Sequence, residues 1–141
     1  MKNVLNKNLD LKGKKVLLRV DLNVPMENGA ITETSRIEKI IPTIKLLIEK
    51  EAKIIILSHI GRPKGKFIKK MTLEPICKKL SSLLNKEILF NKNTIWEHTL
   101  FEVNKIENGS IMMLENIRFN KGEEISTEVI VPFTPIFFLA V

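Results

Sequence analysis

A single cysteine in 141 residues excludes an intramolecular disulfide and a four-thiolate metal centre. Cys77 sits in EPICKKLSSLL, a helical pattern in which a thiol serves as a small buried hydrophobe. An intracellular, reducing setting is the expectation. Only two histidines occur, His59 and His98, and no paired-histidine pattern with supporting carboxylates accompanies them, so no metal site is expected. His98 reads as incidental. The opening MKNVLNKNLDLKGKK lacks the apolar stretch of a secretory signal. Gly-rich, Ser-rich and Pro-rich runs are missing, as are internal repeats. So are a Walker A sequence, a Gly-x-Gly-x-x-Gly turn and a serine elbow, which leaves no visible cradle for nucleotide phosphates.

What is present is an ordinary globular composition, 44% hydrophobic and 28% charged, in a length that suits one compact domain. The net charge is +7, and 19 of the 23 basic residues are lysines. Such a surface is either a set of solvated faces or an attractive field for small anions. Charge alone gives no specific reason to expect nucleic acid.

Lys15–Val20 (KVLLRV) and Lys53–Leu57 (KIIIL) are short apolar runs that read as strands buried on both faces of a parallel sheet. Between them lie a loop or hairpin over Asp21–Asn28 (DLNVPMEN) and a helix from Ser35. In the helix, Ile37, Ile40, Ile41, Ile44, Leu47 and Ile48 form one face. Pro42 requires that this helix either begin there or kink. Ser58–Lys70 reads as a loop, Leu73–Leu84 as a helix with Pro75 in its first turn, and Glu87–Phe90 as a strand. A helix is acceptable around Thr99–Lys105, and Ser110–Leu114 (SIMML) is a fourth strand. This alternation predicts an α/β fold: an open, mostly parallel, Rossmann-like sheet with helices on both faces. Ligands of such folds bind beyond the carboxyl ends of the strands. Three polar clusters fall there: DLN, SHIGR and ENIRF.

A three-carbon acid phosphate would need guanidinium forks for its anionic ends and a carboxylate or amide for its hydroxyl. Of four arginines in the chain, Arg36, Arg62 and Arg118 lie in or beside these loops. Arg19 lies inside the first strand, in a structural or edge role. His59 suits hydrogen bonding to an anion. Asp21 and Asn23 either touch a ligand or close an Asx turn. Lys64, Lys66, Lys69, Lys70, Lys78 and Lys79 either widen the field around the site or form a solvated face.

The run KVLLRVDLNVPMENGAITETSRIEKIIPTIKLLIEKEAKIIILSHIGRPKGK, with SIMMLENIRFNKGEE further on, closely resembles the start of phosphoglycerate kinase; the likeness covers about residues 3–125. The resemblance implies a cytoplasmic, monomeric, two-lobed enzyme of glycolysis. It transfers a phosphoryl group between magnesium ATP and 3-phosphoglycerate, giving ADP and 1,3-bisphosphoglycerate. By motif, Asp21 and Asn23 would place the glycerate hydroxyl and carboxylate. Arg36 would be the catalytic residue near the transferring group, also orienting the acceptor. His59, Arg62 and Arg118 would grip the phosphate that stays.

The family pattern ends early. After KGEE the family's next helix, strand and basic His-Arg motif are expected, but the chain reads ISTEVIVPFTPIFFLAV. The stretch near residues 91–98 also lacks the family's Asp-Cys-Ile-Gly-like segment. The expected organisation is residues 1–128 as a partial substrate-binding domain and 129–141 as an apolar segment outside the family pattern. The C-terminal nucleotide-binding domain is expected to be absent. That apolar segment is too short and too interrupted by proline for stable membrane insertion, and it is expected to add exposed apolar surface beside unpaired strand edges. The chain alone should then be inactive, unless a complementing C-terminal lobe supplied the nucleotide site. The other readings are a non-catalytic phosphoglycerate- or anion-binding module, the product of a degraded gene, a basic nucleic-acid-binding protein, and a lipid-partitioning tail.

Overall fold

A computed structural model describes residues 8–92, 102–120 and 136–140. Strand β1 (Lys15–Arg19) leads into a two-stranded hairpin of β2 (Met26–Glu27) and β3 (Ala30–Ile31), then helix α1 (Ser35–Glu49) and strand β4 (Lys53–Leu57). Helix α2 (Glu74–Leu84), β5 (Ile88–Asn91), β6 (Ile111–Leu114) and β7 (Ile136–Ala140) complete the described elements, with short 3-10 turns at Lys69–Met71 and Ile117–Phe119. The main sheet has the order β5-β6-β4-β1-β7, and every pairing in it is parallel. The open parallel α/β architecture expected from the alternating pattern is therefore present.

The unbroken apolar strands follow from burial on both faces. Val16, Leu18, Ile54, Ile56, Ile111 and Met113 join one core with the α1 residues Ile37, Ile40, Ile44 and Leu47 and the α2 residues Ile76, Cys77 and Leu80. The alternate residues Leu17, Ile55, Leu57, Met112 and Leu114 meet Val103, Ile106 and Ile117 on the opposite face. Val103 belongs to a helical turn over residues 102–105, the described part of the helix expected around 99–105; residues 99–101 lie outside the described ones. Burying each Leu or Ile contributes about 1.5–3 kcal/mol of transfer free energy, so these two layers account for most of what orders the sheet.

Local chemistry sets the remaining boundaries. The DLNVPMEN stretch resolves into a loop followed by the hairpin, whose turn residues Asn28 and Gly29 have φ of 51° and 79°. That left-handed pair is the conformation an Asn-Gly hairpin turn favours. Helix α1 runs through Pro42 without starting there. The proline is exposed, so water can satisfy the carbonyl that its missing N–H leaves behind. Helix α2 ends at Asn85, a left-handed cap with φ 49° whose N–H bonds back to Ser81 and Ser82.

Two expectations change. β1 lies between β4 and β7, so Arg19 is on an interior strand and the edge alternative falls away. Residues 136–140 also do more than add apolar surface. Their backbone pairs in register with β1, from Lys15 opposite Ile136 to Arg19 opposite Ala140. A run of Ile, Phe and Leu suits a strand, and it satisfies backbone groups that β1 would otherwise leave open.

Candidate functional site

The carboxyl ends of β1, β4 and β6 all feed one side of the sheet, and the three polar clusters meet there. After β1, the chain is tied to β4 by Ser58. Its buried hydroxyl donates to the Val20 carbonyl at 2.7 Å and accepts from the Leu22 N–H at 3.0 Å. This fixes where Asp21 and Asn23 emerge. Both are exposed, flanking buried Leu22, as an extended backbone requires.

Arg36, in the first turn of α1, reaches back to them. Its Nη1 donates to Asp21 Oδ1 and Oδ2 at 3.1 and 3.0 Å and to the Asn23 carbonyl at 2.9 Å. Among the described residues, the rest of the guanidinium fork has no hydrogen-bond partner, so it retains donors for an anion. The Asx turn is present too: Asp21 Oδ1 accepts the Asn23 N–H at 3.1 Å. Asp21 thus combines the turn with the ion pair. Nearby Glu33 is held below the usual carboxylate range, chiefly by the Ser35 side chain, then by the Ser35 N–H, with a lesser attraction to Arg36.

Asn23 links this group to the second cluster, accepting the Gly61 N–H at 3.3 Å through Oδ1. Gly61 has φ 62°, which favours glycine, and a Cβ there would push aside the flexible Met71 side chain, whose end lies 2.9 Å away. On either side of that tight bend stand His59, half-buried, and Arg62, exposed. Arg62 has no ion-pair partner among the described residues. The third cluster closes the arc: Arg118 Nη1 donates to the Gly61 carbonyl at 3.0 Å, and its own carbonyl accepts the Gly65 N–H at 3.1 Å. Four expected residues are thus joined directly or through Gly61, in the order Asp21, Arg36, Asn23, Gly61, Arg118, with His59 and Arg62 on the same loop.

Three polar residues that the sequence reading passed over hold this arc in place: Ser58, Glu115 and Asn116, the buried polar residues of the described chain. Glu115 accepts from the Thr72 hydroxyl at 2.6 Å and from the Leu73 N–H at 2.9 Å. It thereby caps the start of α2 from another strand's end. Asn116 donates to the Ile60 and Met71 carbonyls. A signal for them was available: each is a polar residue within two positions of the end of an apolar strand, inside a cluster already noted. The lysines of the basic stretch are exposed. Lys78 lies 3.9 Å from Glu74, while Phe67 packs edge-on against Phe119 at 5.1 Å.

Fold and geometry together define an α/β protein with a cationic, glycine-bent polar cluster at the carboxyl edge of a parallel sheet. The phosphoglycerate kinase family pattern matches residues 6–136. The phosphoglycerate kinase of Dictyoglomus turgidum is 50% identical over 115 residues, covering 82% of this chain and 29% of that protein. The Bradyrhizobium diazoefficiens enzyme is 49% identical over 116 residues, with 82% and 29% coverage. Among solved structures, phosphoglycerate kinase from Pyrococcus horikoshii superposes with a TM-score of 0.76 at 32% identity, covering 85% of this chain and 29% of that one. The Coxiella burnetii structure gives 0.73 at 44% identity, with 87% and 30% coverage. The chain belongs to the phosphoglycerate kinase family of phosphoryl-transfer enzymes and corresponds to its N-terminal lobe. It spans about 29% of the length of these two curated relatives. Members of the family are typically cytoplasmic and use magnesium ATP or ADP.

Proposed function

We propose that this chain supplies the phosphoglycerate half-site of phosphoglycerate kinase. The reaction is reversible phosphoryl transfer between ATP and 3-phosphoglycerate in glycolysis, in the cytoplasm, by a monomeric family enzyme. The observation that carries the reading is the arc from Asp21 through Arg36, Asn23 and Gly61 to Arg118. It sets two guanidinium groups at opposite ends of a tight loop bearing His59 and Arg62. A ligand with a carboxylate at one end and a phosphate at the other suits that spacing of cations. Residues 1–128 provide the half-site, and 129–141 are read as a segment apart from it.

In this reading Asp21 and Asn23 orient the glycerate hydroxyl and carboxylate. His59, Arg62 and Arg118 hold the phosphate that is not transferred, fixing the acceptor for in-line attack. The acceptor carboxylate is ionised at neutral pH, so none of these residues acts as a general base. Arg36 offers its remaining N–H groups to charge developing on the transferring phosphoryl. In this reading the magnesium nucleotide belongs to the family's other lobe, since the chain's motifs supply only acceptor-binding groups and the Glu115 carboxylate is taken up by Thr72 and Leu73. The donor's phosphates and metal must be held by a complementing lobe, and the chain alone is expected to show no turnover.

Calorimetric titration of the full 141-residue chain with 3-phosphoglycerate tests this, with circular dichroism confirming the fold. One-to-one binding, abolished by Arg36→Ala and by Arg62→Ala, is expected. A folded chain that gives no saturable heat would overturn the reading.

A further inference from the structure

Asn116 is completely buried, makes no approach to solvent, and uses its whole amide on backbone. Its Nδ2 donates to the Ile60 carbonyl at 2.8 Å and to the Met71 carbonyl at 2.9 Å. Its Oδ1 accepts the Arg118 N–H at 3.1 Å. One side chain thus ties three separate stretches together: the residue between His59 and Gly61, the 3-10 turn behind Gly61, and the backbone of Arg118. Gly61 is pinned from both sides, since Met71 fills the space against it while Arg118 and Asn23 hold its carbonyl and N–H. A buried carboxamide meeting two carbonyls and one N–H can be replaced by no other residue without leaving a partner unmatched.

We infer that Asn116 is the positioning residue of the anion site: it sets the mutual placement of the His59–Arg62 bend and Arg118 without touching the ligand. This rests on the phosphoglycerate reading for the identity of the ligand, but not for the placement itself. Asn116→Asp keeps the shape and the acceptor oxygen while setting a carboxylate against two carbonyls. Losing two such hydrogen bonds weakens 3-phosphoglycerate binding by roughly ten- to a hundredfold. It also releases the Gly61 and Gly65 amides, whose partners move with Arg118 and Asn23.

Two measurements on the full chain decide the matter: affinity for 3-phosphoglycerate by calorimetry, and amide hydrogen exchange at Gly61, Gly65 and Arg118 without ligand. Ile44→Val, a core change in α1 that touches none of these hydrogen bonds, serves as the comparison for a loss of stability alone. Asn116→Ser takes the place of Asn116→Asp should the latter lack a cooperative unfolding transition. Weaker binding with faster exchange at those three amides, neither seen in Ile44→Val, bears the inference out. Unchanged exchange at the three amides overturns it, as does affinity loss no greater than in Ile44→Val. If the parent chain binds no 3-phosphoglycerate, the functional reading fails, and the exchange comparison still decides the role of Asn116.

Discussion

The two ends of the site are built on opposite principles. At the β1 end, Arg36 and Asp21 form an ion pair whose side chains are 49% and 59% exposed. At the β6 end, Glu115 and Asn116 are 4% and 0% exposed, and their side chains bond to backbone groups and the Thr72 hydroxyl. An exposed pair is worth at most about 1 kcal/mol and is screened by salt. A buried, fully satisfied network is costly to disturb. The contrast separates two mechanical roles: the buried end is a fixed platform, and the exposed end is held only by a weak, salt-screened pair.

The largest test of that contrast lies in the buried half. Glu115→Ala strands the Leu73 and Asn116 N–H groups and the Thr72 hydroxyl, and should destabilise the chain by about 3 kcal/mol, read by urea denaturation. Arg36→Ala should do the reverse. Its affinity for 3-phosphoglycerate should fall at least about fiftyfold, while stability changes by less than about 1 kcal/mol, as calorimetry and denaturation on the same sample would show. An Arg36→Ala chain that unfolds as readily as Glu115→Ala would erase the distinction. Asp21→Asn comes next, with a stability change within about 0.5 kcal/mol that vanishes in high salt.

The smallest effect concerns Cys77, whose thiol is pushed up to about 11, by burial first and by Glu74 second. Below the ordinary value of 9.0 both folded and unfolded thiols are protonated and nothing changes. As pH rises from there through about 11 the unfolded chain releases its proton first, so stability declines over that window. Cys77→Ala should flatten that part of the stability profile. Ellman's reagent should reach the thiol at neutral pH only after unfolding.

How much of this was legible in the sequence depended on whether a signal was local. KVLLR, KIIIL and IMML announce buried parallel strands because both faces are covered, and the 3.6-residue period of Ile37, Ile40, Ile44 and Leu47 places α1 against them. The cationic residues were equally legible, since arginines are scarce in this chain and cluster after strand ends. What the sequence did not reveal was long-range. Nothing near Glu115 says that it caps α2 some 40 positions earlier in the chain, and nothing near Asn116 says that its amide faces Ile60. The pairing of residues 136–140 with β1 was hidden for the same reason: an apolar run shows strand propensity, but its partner is chosen by the sheet. Pro42 was ambiguous locally and was settled by its exposure on the outer face of α1.

The most direct test of the central claim is a two-dimensional amide NMR titration of the isotopically labelled chain with 3-phosphoglycerate. Saturable shifts concentrated at Asp21, Asn23, Arg36, His59, Gly61, Arg62 and Arg118, with α2 and β5 unmoved, are the predicted result. Shifts spread over the lysine surface without saturation, or none at those seven residues, would contradict it.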